Sequence, residues 1–151
     1  MRSKLTVLVA LFVFVLPLRA NEKPSEAYQK AEQALQAANN SLRNHVKNID
    51  YPGLEKDAEA FKASFAVMLT YWEEKKVADA ITFVQDGIKG AEALGVAAAA
   101  MNYNGALAAQ NALVGSNGVA FVGESSALPG VCVGCHLAHR QRMPDGTFEI
   151  K

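Results

Sequence analysis

The sequence predicts an all-α protein, an antiparallel up-down four-helix bundle, and three observations predict it. Apolar residues recur in steps of three and four along most of the chain, the spacing that keeps one helical face on a common core. Turn-forming clusters interrupt the pattern, leaving connections short enough to fold consecutive helices back on each other. Alternation of period two and β-branched runs are nearly absent, which leaves little room for a sheet.

Composition sets the outer bounds. The chain has 151 residues, half of them apolar and a fifth charged, so it has the material for one packed core and is not a disordered chain. Fifteen Lys and Arg balance fifteen Asp and Glu, which excludes the basic footprint of a nucleic-acid binder. Two cysteines are too few for a disulfide-dense scaffold.

Residues 1–20 read as a secretory signal peptide. Arg2 and Lys4 form the positive start, residues 5–16 an apolar run, and Pro17 precedes a small residue at Ala20. A run of twelve residues falls short of the roughly 18 that cross a bilayer. Leu18 is a poor residue for its place in the cleavage signal, so an uncleaved membrane anchor stands as the less favoured reading. Cleavage after Ala20 leaves residues 21–151 and removes Arg2, Lys4 and Arg19, for a formal charge of −3 on the mature chain. The rest of the chain contains nothing that approaches a membrane span.

The mature chain resolves into helical blocks. Ser25, after Pro24, is a candidate N-cap for a stripe of Tyr28, Ala31, Leu35, Ala38, Leu42, His45 and Ile49. The run Asp50-Tyr51-Pro52-Gly53 breaks it. A second stripe holds Leu54, Ala58, Phe61, Phe65, Met68 and Trp72, with the charged residues 73–76 read as a tight connection. The third runs Val77, Ile81, Val84, Ile88, Ala91, Leu94 and Ala98, and a turn at residues 102–105 leads to a short helix over 106–114. Four glycines, three serines and Pro129 within residues 115–130 argue against regular helix there. A last helix is expected over 133–142, stopped by Pro144-Asp145-Gly146, with an extended tail.

Chemistry is concentrated in Cys132-Val133-Gly134-Cys135-His136, the attachment sequence of c-type haem. Two thiols one helical turn apart can each add to a vinyl group of one porphyrin, and the adjacent histidine reaches the iron as its proximal ligand. Other uses of these residues fit less well. A thioredoxin-like pair wants a βαβ setting that is missing. Zinc on Cys132, Cys135, His136 and His139 would crowd four ligands into eight residues. A disulfide across so short a loop is awkward and leaves the histidine without a role.

The position of this motif carries a family resemblance. A CxxCH near the C-terminus of an exported helical chain resembles the class II c-type cytochromes, the cytochrome c-prime type and its low-spin relatives. Only fifteen residues follow His136, whereas class I cytochromes carry the motif near the N-terminus. Residues 132–140, with Pro144-Asp145-Gly146 and Ile150-Lys151, are similar to the ending of many class II proteins, and Trp72 with Asp79-Ala80 resembles them more loosely. The resemblance implies one covalent haem c, thioethers at Cys132 and Cys135, and His136 as the axial iron ligand. Arg140, one turn beyond, either neutralises a haem propionate or is a solvated helix charge. His139 is read as a surface or propionate-side residue. A homodimer through the first two helices is a further implication of the family.

Function turns on the iron's sixth position. Low-spin class II proteins use a methionine from the first helix, and this chain departs from them: its methionines are at 1, 68, 101 and 143. Met68 and Met101 read as packing residues. His45 lies on the first stripe but at the far end of its helix. The expectation is therefore an apolar distal pocket lined by Tyr28, Ala31 and Leu35, with Phe121 a candidate shield for the haem edge. The broad expectation is an exported monohaem electron carrier of the bacterial periplasm, meeting redox partner proteins and performing no catalysis. The alternative is a five-coordinate haem protein that binds small gases such as NO or CO. No distal His/Arg acid-base pair points to a peroxidase.

Overall fold

In the computed structural model, residues 22–115 and 130–151 are described. Local signals set the helix ends. Ser25 Oγ accepts from Tyr28 N at 3.2 Å and starts α1, Glu26–Asn48. Ile49, in the left-handed region at φ 55°, ends it. Asp50 caps the next helix by accepting from Gly53 N at 3.1 Å, so Tyr51, Pro52 and Gly53 open α2, Tyr51–Lys75, rather than forming the expected break. Proline is tolerated there because the first-turn N–H has no intrahelical partner. Lys76, again left-handed, ends α2, so residues 73–75 are helical and the connection is tighter than expected. α3 covers Ala78–Ala99 and α4 covers Tyr103–Val114. Asn102 caps α4 through Gly105 N at 3.0 Å, which starts that helix three residues earlier than its apolar pattern implied.

The C-terminal segment departs most from expectation. α5 spans Val131–His139 and stops three residues short of Arg142. Residues Arg140–Arg142 form β1, paired antiparallel with β2, Phe148–Ile150, in the register Arg140↔Ile150 and Arg142↔Phe148. Gly146, at φ 86°, makes the turn between them, a conformation available to glycine without steric cost. Lys151 then satisfies the end of α5 twice, through its N–H on His139 O at 3.1 Å and its Nζ on Leu137 O at 3.0 Å. Those carbonyls would otherwise lack partners. Glu22 pairs with Ile150 through both backbone groups. Its carboxylate takes Lys75 Nζ at 2.7 Å and the Tyr71 hydroxyl, which holds it below the usual carboxylate range. The two ends of the described chain are thereby fastened to the end of α2.

Among the described residues, the protein is all-α apart from this small hairpin. α2 packs against α1 and α3, α4 packs against α3 and touches α1, and α5 lies on α3 and α4. Every residue of the second stripe is buried, and Phe61 and Trp72 are among the largest fully enclosed side chains. Each such side chain contributes about 1.5–3 kcal/mol by leaving water. The first stripe is buried at Tyr28, Ala31, Ala38 and Leu42 and half-buried at Leu35 and His45; Val46 takes the inside instead of His45, and Ile49 is exposed as the residue that ends the helix. On α3 the buried face is shifted. Val77, Ile81 and Ile88 are half-buried, and Ala80, Gly87 and Gly90 take the inside. Close approach explains the shift, because a methyl at position 87 would stand 2.6 Å from the Phe65 ring. Among the described residues, no helix is long and apolar enough to cross a membrane. The segments read as a signal peptide (1–20) and as a glycine-rich connection (115–130, apart from its two end residues) lie outside the described residues.

α1 and α2 are tied together where they meet. His45 Nδ1 donates to Asp57 Oδ2 at 2.7 Å, and Ser41 Oγ donates to Asp57 Oδ1 at 2.6 Å. Asp57 is buried, so removing its carboxylate leaves two donors without their acceptor. Asp57→Ala is expected to cost about 2–3 kcal/mol, read as a lower urea midpoint at neutral pH. An unchanged midpoint would mean that the tie contributes nothing.

Candidate cofactor site

Cys132 and Cys135 sit one turn apart on α5, and both border a cavity of about 720 Å³. This size lies within the usual 300–1,000 Å³ of ligand pockets. His136 borders it too, facing Tyr28, Glu32 and Leu35 of α1, Met68 of α2 and Phe83 of α3. The motif thus opens onto a partly open space between helices.

What seats α5 there is its other face. A Cβ at Gly134 would stand 2.8 Å from the Phe83 ring, so the residue between the cysteines must be small for α5 to lie this close to α3. His139 is not a surface or propionate-side residue, as the sequence implied. Its imidazole packs 5.2 Å from the Trp72 ring and 6.5 Å from Phe83, with Nε2 3.1 Å from Asp79 Oδ2. Only 13% of that side chain is exposed. The physical reason is that α5 is amphipathic within nine residues, turning His139 onto α2 and α3 while Cys132, Cys135 and His136 keep the cavity.

Burial governs the chemistry of the three motif side chains. Both thiols are free. Loss of water raises Cys132 to about 11. Cys135 rises to about 12, through burial first and then the fields of Cys132, Glu32 and Asp79. Such protonated thiols are the opposite of the low-pKa cysteine of a disulfide oxidoreductase. His136 is lowered to about 4, by burial first and then by Arg140. The imidazole is therefore neutral at physiological pH, the form that ligates metals. Arg140 Nη1 approaches Nε2 at 3.4 Å as the donor, which assigns the lone pair to Nε2 and the proton to Nδ1.

Arg140 belongs to the strand after α5 rather than to a longer helix, yet it still borders the cavity. Its guanidinium lies 3.6 Å over the Phe148 ring, so it is held by the hairpin and is not a freely solvated charge. Tyr28 and Leu35 line the cavity as expected, whereas Ala31 is buried in the core. His45 is engaged by Asp57, and Met101 is 73% exposed at a left-handed turn. Neither borders the cavity. Met68 does, so the sulfur read as packing is also a cavity wall. Phe121, the candidate shield, lies outside the described residues.

Glu32 and Phe83 were not singled out from the sequence. Glu32 stands four residues after Tyr28 on the same face of α1, a position whose inward direction was legible but whose charge suggested solvent. Phe83 precedes Val84 and falls off the α3 stripe.

The donor set suits a covalently held porphyrin better than a bare ion. Two thiols and a neutral histidine share the wall of one mostly apolar space, with Arg140 as a cation at its edge. Among the described residues, no three or more His, Cys, Asp or Glu side chains gather as a metal-binding group. The four residues weighed for zinc are divided between two faces of α5. Searches against family models, curated proteins and solved structures returned no match.

The lowered His136 carries a pH signature. Its folded value lies below the 6.5 of the free imidazole, so between those values the unfolded chain binds the extra proton. Stability from this group is complete above about pH 6.5 and is lost as the pH falls towards 4. In the polypeptide without cofactor, the thermal midpoint should drop more steeply between pH 7 and 4 than it does in His136→Asn. Parallel slopes would contradict a buried neutral imidazole.

Proposed function

We propose that this chain is an exported monohaem c-type cytochrome that carries electrons in the periplasm, built on the up-down four-helix bundle of the class II proteins. α4 and α5 together would occupy the place of that family's fourth helix, since both pack against α3. The observation that carries the reading is the shared wall: Cys132, Cys135 and His136 open from one short helix onto one cavity between helices.

Cys132 and Cys135 would hold the haem as thioethers, each S–H adding across a vinyl double bond. His136 Nε2, unprotonated and facing the cavity, would be the axial ligand. Bound haem supplies a one-electron iron centre. The chain's own part is to bind it, shield it from water and set its surroundings. Tyr28, Leu35, Phe83 and Met68 exclude water, and a dry setting keeps the reorganisation on electron transfer small. Arg140, fixed on Phe148, would offset a propionate charge. The mature chain's formal charge of −3 would favour redox partners with a basic docking face. Pairing through α1 and α2 would follow from the resemblance, and export from the signal-peptide pattern of residues 1–20.

Gas binding at an open iron is the less favoured use of the same site. Met68 and Glu32 both border the cavity, and each brings a lone pair that could close the sixth position. A carrier with an internal sixth ligand should show visible spectra, ferric and ferrous, that CO leaves unchanged.

The test is expression of the full chain with haem-attachment machinery, followed by a haem stain of a denaturing gel. The wild type should stain at the chain's own mobility, and the Cys132→Ala/Cys135→Ala double variant should not. An unstained wild type would sink the reading, and a ferrous spectrum that converts fully with CO would move it to the gas-binding alternative.

A further inference from the structure

The wall facing the cysteine motif was expected to be apolar, and it holds a carboxylate. Glu32 lies on the inner side of α1, between Tyr28 and Leu35, and all three border the cavity. Only 26% of its side chain is exposed. The contrast with Glu26 on the same helix is plain, since Glu26 is 82% exposed and pairs with Lys30 at the surface. Burying a carboxylate is costly unless it is paired or coordinates a metal. A leucine would serve a purely apolar wall better.

The position of the carboxylate relative to the motif gives it a task. Glu32 Oε1 stands 3.9 Å from His136 Nε2, the unprotonated ring nitrogen. Bonds from a metal to histidine nitrogen and to carboxylate oxygen are each about 2.0–2.2 Å in the well-measured zinc series. Their sum is close to the gap between these two atoms, so their separation is that of two ligands on opposite sides of one metal centre. Met68 also borders the cavity and is the competing donor.

We propose that Glu32 supplies the sixth ligand of the haem iron through Oε1, on the side opposite His136. The site is then histidine–carboxylate ligated, with its second axial group on α1. This rests on the haem reading above, and it assigns an internal ligand that the cysteine motif does not specify. An anionic oxygen favours the ferric over the ferrous state, so the arrangement also sets the redox poise. In the ferric state it closes the sixth position yet leaves it exchangeable for a stronger anionic ligand.

The test uses the full chain carrying its haem, with Glu32→Gln and Glu32→Ala beside the wild type. Glu32→Gln keeps the shape and the helix, and far-UV circular dichroism checks that both variants fold. The ferric wild type should give the absorption and electron paramagnetic resonance signature of an internal oxygen ligand, and both variants should lose it. Azide should bind the ferric variants at least tenfold more tightly. The midpoint potential should rise, each tenfold loss of ferric preference corresponding to about 59 mV. Covalent haem with the same ferric spectrum and azide affinity in all three proteins would overturn the assignment and leave the haem reading standing. So would loss of the sixth ligand in Met68→Leu. Absence of covalent haem from the wild type would overturn both.

Discussion

The seating of α5 on α3 is the constraint on which the rest of the site depends. Gly134 gives the Phe83 ring room at a distance where any other side chain would collide. Five residues on, His139 reaches over the same helix to Asp79 and lies against Trp72. These two contacts fix both the depth and the rotation of a nine-residue helix that would not be stable alone. Once they are made, Cys132, Cys135 and His136 have nowhere to point but into the cavity. The hairpin adds a second hold, because Lys151 closes the end of α5 and β2 places Phe148 beneath Arg140. Glu22 then ties that hairpin to Tyr71 and Lys75 of α2. The N-terminal residues of the described chain and its C-terminal strand therefore form one clasp beside the site.

Burial has opposite consequences for the groups that line the cavity. It keeps the thiols protonated and the imidazole neutral, both suited to capturing an apolar cofactor and donating to iron. It also disfavours charge on Glu32, whose inward placement needs compensation. Arg140 supplies part of it and is itself held near His136 at 3.4 Å. The polar groups around Nε2 are therefore interdependent, and occupation of that nitrogen by a metal would redistribute all three. The opposite end of α1 is managed differently, with His45, Ser41 and Asp57 satisfying one another directly.

Much of this was legible in the residues. Every residue of the second stripe, from Leu54 to Trp72, is buried because its steps of three and four are unbroken, although Asp57, Ser64 and Tyr71 share that burial and gave no such signal. The third stripe was read less well. Gly87 and Gly90 contribute no apolar signal, yet their lack of a side chain is what draws the face of α3 towards Phe65 and Leu113. The end of α5 was placed too late because strand pairing between Arg140 and Ile150 is a non-local event that periodicity cannot register. His139 looked like a surface group since its partners, Trp72 and Asp79, are some sixty residues away along the chain. The motif's proposed role rests on covalent spacing, which needs no tertiary context to be read. Glu32 was not, because a charge on a helix face ordinarily signals solvent, and only the packed helices show that this one is turned inward.

The account stands or falls on one covalent bond pair in the mature protein, and an intact mass spectrum of the chain purified from the periplasm reads it directly. The expected mass is that of residues 21–151 plus a single haem, retained under denaturing conditions. The mass of the bare polypeptide, with or without residues 1–20, would contradict it.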